Sequence, residues 1–132
     1  MPVEKKPEKP IEQVIREDGR YGPEAFAFLR EGLARAVKDV HGKDESREQR
    51  HVSGEQLCQS LKDLAVERWG QLAKCVLNHW NIRGTIDFGN MVFLMVQSGY
   101  MRKTADDRLD DFRNVYSFSE AFAPVDQFEL KE

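Results

Sequence analysis

Long apolar runs are the first thing this sequence lacks. The longest uninterrupted one is six residues, Met91 to Val96, far short of the roughly 18 that a membrane-spanning helix needs. No membrane association is expected. Cysteine is scarce as well. There are two, Cys58 and Cys75, with no paired-cysteine metal motif and no disulfide framework. The amino-terminal stretch Met1 to Pro10 is charged and proline-rich, without the apolar centre of a signal peptide. Together these absences predict a cytoplasmic protein with free thiols. An excess of positive charge is also missing. The net charge is −3, which argues against a dedicated binder of nucleic-acid phosphates.

What is present is an ordinary globular composition, 40% hydrophobic and 33% charged over 132 residues. That length suits one domain and is long enough to bury about two thirds of the unfolded chain's surface. Charge is distributed unevenly. Residues 1–52 hold 11 basic and 11 acidic side chains, residues 53–104 hold 6 and 4, and residues 105–132 hold 3 and 8. The acidic end reads as a solvated face.

The periodicity is helical throughout. Residues 1–9 form an expected flexible arm, 10–123 the domain, and 124–132 a tail. Pro10 opens a first helix with Ile11, Val14 and Ile15 on one side and Gly19 at its end. Pro23 opens a second. There Phe26, Phe28, Leu29, Leu33, Ala34, Val37 and Val40 form the apolar face, and Gly42 is the stop. Residues 43–50 contain no apolar side chain and form a loop. Ser53-Gly54-Glu55-Gln56 matches a capping box and begins a helix that buries Leu57, Leu61, Leu64 and Ala65. Gly70 breaks it. The next helix, Gln71 to Trp80, presents Leu72, Val76, Leu77 and Trp80 as its buried set.

Thr85 to Gly99 is the most apolar window and the expected central helix. Thr85 or Asp87 caps its start and Gly99 its end. Apolar residues on two of its faces, Phe88, Met91, Val92 and Met95 against Phe93, Val96 and Tyr100, predict that other helices enclose it. Beyond Gly99, Thr104 and Asp107 suggest a second capping box and a short helix reaching Phe112. The alternative is a β-hairpin pairing 100–103 with 112–118, which would make the fold winged-helix-like. The leading expectation is all-α, a compact single-domain orthogonal bundle of about five or six helices.

Candidate chemistry is sparse. Arg50 and His51 precede the helix that Ser53 caps, where amide groups and the helix dipole favour an anion. Asp87 is the one polar residue near the start of the central helix that could face them. Arg50, His51, Ser53 and Asp87 are thus the candidate anion-binding set. Cys75 and His79, four apart, offer two metal ligands where a closed zinc site needs four. A Cys–His nucleophile built from Cys58 or Cys75 with His51 or His79 would need a thiol of lowered pKa, and apolar surroundings work against that. The acids Asp106, Asp107, Asp110 and Asp111 read as solubilising. Ser53 to Trp80 has helix–turn–helix proportions, and Lys74, Asn78, His79 and Arg83 are its candidate phosphate contacts.

Gly19-Arg20-Tyr21, Arg50 to Cys58, Val76 to Trp80, Thr85 to Gly89 and Phe112 to Tyr116 together resemble an uncharacterised family of small soluble proteins of the Planctomycetes–Verrucomicrobia lineage. The resemblance spans roughly residues 10–123 and carries over no activity. With no complete catalytic constellation, and with more aromatic and methionine side chains than one small core is expected to bury, the function expected is a non-enzymatic interaction or structural module without cofactor, acting as a homo-oligomer or an adaptor for another protein. A small-anion or phosphometabolite binder is the alternative. A winged-helix nucleic-acid binder comes third.

Overall fold

Packing between two long helices dominates the architecture. In the computed structural model, residues 7–42, 51–102 and 107–122 are described. They form α1 (Ile11–Asp18), α2 (Pro23–His41), α3 (Gly54–Trp69), α4 (Ala73–His79), α5 (Thr85–Gln97) and α6 (Phe118–Ala121), with 3-10 turns at Gly70–Leu72 and Leu109–Phe112. The chain is an all-α bundle, and no strand occurs among the described residues.

The most extensive helix pair is α2 with α3. Gly32 makes the close approach possible, since a methyl group there would lie 2.1 Å from Leu61 Cδ2. The buried face of α2 keeps Phe26, Phe28 and Leu29 of the expected stripe and then departs from it. Gly32 and Ala36 are buried, Leu33 and Val37 are half-buried, and Ala34 and Val40 are exposed. Small residues rather than large ones meet α3 where the two backbones come closest.

The start of α3 follows its sequence signal. Ser53 Oγ accepts from Gln56 N at 3.1 Å, and Gln56 Oε1 accepts from Ser53 N at 2.8 Å. The start of α5 is capped by Asp87, whose Oδ2 accepts from Arg83 N at 2.8 Å and Gly84 N at 3.1 Å. The end of α5 closes with Tyr100 N donating to Met95 O and Gly99 N to Val96 O. Gly99 has φ 86°, the left-handed conformation that this termination requires and glycine tolerates best.

One side of α5 is fully buried, through Thr85, Phe88, Gly89, Met91 and Met95. Val92, Phe93, Leu94 and Val96 are only half-buried, so the helix is enclosed on one side rather than two.

The β-hairpin alternative is overturned, and with it the winged-helix shape. Over 112–118, where a strand was possible, Phe112 ends the 3-10 turn Leu109–Phe112, residues 113–116 are turn and bend, and α6 starts at Phe118; within the 3-10 turn Asp111 accepts from Arg108 N at 3.0 Å. Its Phe112 ring docks between α3 and α5. A methyl group on Gly54 would lie 3.0 Å from this ring, and one on Gly89 would lie 2.8 Å from Phe112 Cβ. The missing side chains of two glycines form the slot, and a flat strand could not fill it. The expected cap at Thr104 falls outside the described residues. At the base of the expected arm, Lys9 pairs with Glu17 at 2.8 Å, and its carbonyl accepts from the Tyr100 hydroxyl.

Candidate functional site

The residues expected to hold an anion have separate partners. Arg50 lies outside the described residues. His51 directs Nε2 to Asp107 Oδ1 at 3.0 Å, and its carbonyl accepts from His41 Nε2 at 2.7 Å. Ser53 is occupied by the α3 cap. The Asp87 carboxylate accepts from the Tyr21 hydroxyl as well as from the two backbone amides. Burial and that bond to the carboxylate push the Tyr21 hydroxyl up to about 12. Asp87 is thus engaged by Tyr21, Arg83 and Gly84, and the His51 ring by Asp107, so the structure does not bring the two together.

The two thiols differ. Cys58 is fully buried, and burial, with the nearby Glu55 charge, pushes its pKa up to about 12, which suppresses the thiolate. Cys75 is exposed, contrary to the expectation that it packs beside an apolar stripe. His79 is exposed on the same side of α4. Among the described residues, no group of three or more His, Cys, Asp or Glu side chains could hold a metal ion. Of the surface acids, Asp110 pairs with Arg113 at 3.2 Å, and both are well exposed.

A different feature emerges at the corner where α3 passes into α4. The protein has two tryptophans, and both are here. Trp69 and Trp80 meet edge to face with centroids 5.4 Å apart. Each also packs on Phe28 of α2, at 5.2 Å and 5.9 Å. Their inner sides cover the core and their outer sides reach solvent, leaving both half-buried. Beside them Leu72 is 64% exposed and Val66 is 44% exposed. Leu72 and Trp80 flank α4 and, four residues either side of Val76, lie on the same side as it, and spacing of three aligns Val66 with Trp69 on α3. Ion pairs tie the intervening polar residues back to α2, through Arg35–Glu67 at 2.6 Å and Arg68–Glu31.

The exposure of Leu72 corrects its place in the expected buried set. The 3-10 turn at Gly70–Leu72, with Gly70 at φ 52°, resets the helical phase before α4 begins. The expected helix began at Gln71, whereas α4 begins at Ala73, so Leu72 lies in the turn and its side chain stays outside.

Comparison with protein-family models, with curated proteins and with solved structures gives no match. No helix among the described residues is long and apolar enough to cross a membrane.

Proposed function

We propose that the protein is a non-enzymatic interaction module that self-associates through the Val66–Trp69–Leu72–Val76–Trp80 surface. The observation that carries this reading is the Trp69–Trp80 pair, held rigidly on Phe28 with its outer side uncovered beside an exposed leucine. Tryptophan in a preorganised setting is the residue most enriched at the energetic centre of interfaces. The surface itself is apolar and needs no charged counterpart, so a second copy suits it. Two-fold contacts between like surfaces are the commonest form of assembly. The exposed Leu72 would insert beside the partner's aromatic pair, and the Arg35–Glu67 and Arg68–Glu31 pairs would form a polar rim.

Light scattering across a dilution series tests it. The expected mass exceeds the 15.3 kDa of one chain at high concentration and falls towards it on dilution. Leu72→Glu should give 15.3 kDa throughout. A wild-type mass of 15.3 kDa at every concentration would sink the proposal.

A further inference from the structure

On the other flank of α4, a cavity of about 550 Å³ opens between that helix, the start of α5 and the segment that follows Phe112. Three cations from three separate parts of the chain border it: Lys74 on α4, Arg83 in the turn before α5, and Arg113 after the 3-10 turn. None of its lining residues is an aspartate or glutamate among the described residues. In a chain with more acids than bases, such segregation is informative. Cations that border one space from three sides can act together on an anion placed in it.

The three cations differ in how far they are already engaged. The Arg83 guanidinium is exposed and has no partner among the described residues, although its backbone is fixed by the bond from its amide to Asp87. Lys74 Nζ donates only to the Ser119 hydroxyl, at 3.1 Å. Arg113 meets Asp110 in an exposed pair that solvent screens.

A buried threonine holds the cavity's wall in place. Thr85 Oγ donates to Phe112 O at 2.6 Å and accepts from Val115 N at 3.1 Å. These two bonds bracket Arg113 and Asn114, pinning that turn onto the first residue of α5. Asn114 adopts a left-handed φ of 52° there, a conformation uncommon for a residue with a side chain. Thr85 is therefore a positioning residue that presents Arg113 to the same space as Arg83 and Lys74.

We propose that this cavity binds the phosphate monoester of a small, hydroxyl-rich molecule, with Arg83, Lys74 and Arg113 gathered on the phosphate. Arginine's planar fork matches phosphate oxygens two at a time, and lysine adds a point charge. The volume lies within the range of small-molecule pockets and leaves room for a body beyond the phosphate. The remaining polar walls, with Asn78, Asn114 and Ser119, offer amide and hydroxyl groups suited to ligand hydroxyls. A nucleobase finds less. The Tyr116 ring is already engaged by Phe118, at 6.0 Å and 26°, and by Lys62 Nζ at 5.7 Å, and its hydroxyl donates to Cys58 O. This site is independent of the self-association surface.

Isothermal titration of the full chain at low salt tests the assignment, using glycerol 3-phosphate, inorganic phosphate, sulfate, glycerol and adenosine monophosphate as probes. Glycerol 3-phosphate should bind more tightly than phosphate or sulfate, and glycerol should give no heat. Arg83→Ala, at an exposed side chain, should keep the wild-type melting temperature and weaken glycerol 3-phosphate about tenfold or more. Lys74→Met should act in the same direction. Absence of binding by every anion would overturn the site, as would unchanged affinity in both variants. Sulfate binding as tightly as glycerol 3-phosphate, or adenosine monophosphate binding more tightly than it, would overturn the hydroxyl-rich ester.

Discussion

The two flanks of α4 make opposite use of one short helix. On one flank Leu72, Val76 and Trp80 leave apolar surface uncovered beside Trp69. On the other, Lys74 and Asn78 border a cationic cavity. Between them Ala73 and Leu77 are fully buried and fasten the helix to the core. Cys75 and His79 occupy the outer side and are exposed. Spacing of four sorts these sets, so each stripe meets one environment. The contrast teaches that a helix of seven residues needs only a two-residue anchor to carry two separate surfaces.

The anchor is where the comparison breaks most completely. Leu77→Ala should cost about 2–5 kcal/mol, measured by urea denaturation, because it empties a fully buried site. Both flanks should fail together. Wild-type self-association or anion binding in the destabilised variant would show that the flanks do not depend on how Leu77 seats α4.

Thr85→Val comes next and separates the flanks. Losing the hydroxyl strands Phe112 O and Val115 N, so a loss of about 1–3 kcal/mol is expected in the same denaturation assay. Anion affinity should fall because Arg113 is no longer held, while the tryptophan surface keeps its mass-versus-concentration curve.

A pH series sharpens the cationic flank further. Tyr21 has its pKa raised from 10 to about 12, by burial first and then by its bond to Asp87. Its contribution is therefore intact below pH 10 and is lost as pH rises from 10 through 12. The stability gap between wild type and Tyr21→Phe should be constant below that window and shrink across it. A gap that is flat through pH 12 would remove the tyrosine's proton from the account of how the start of α5 is held.

The smallest effect concerns stability at the apolar flank. Leu72→Glu should change the unfolding free energy by no more than about 0.5 kcal/mol, because the side chain is mostly exposed already. A loss of several kcal/mol would mean that Leu72 belongs to the core after all.

These features were unequally legible in the amino-acid sequence. Local signals were read well. Ser53 and Gln56 lie three apart and satisfy each other's backbone partners, so their box is visible without the fold. The start of α5 and the glycines that end α1 and α5 are equally local. Tertiary choices were hidden. Gly32 and Ala36 join Phe26, Phe28 and Leu29 on the buried face of α2 because α3 comes so close, and nothing in the α2 periodicity announces that approach. Phe112 was expected to help close the core, with a strand as the alternative, but the slot it fills is visible only once Gly54 and Gly89 are brought together. The helix–turn–helix reading did group Lys74, Asn78 and Arg83. Arg113 could not join them, because that turn is brought back by contacts distant in sequence, among them the bond from Thr85 to Phe112, 27 residues away.

Acrylamide quenching of tryptophan fluorescence over a dilution series is the most direct measurement of the central claim. Both tryptophans lie in the proposed contact, so the signal reports that surface alone. The account predicts that quenching is weak at high concentration and strengthens on dilution, whereas Leu72→Glu is strongly quenched throughout. Equal quenching of wild type and variant at every concentration would contradict it.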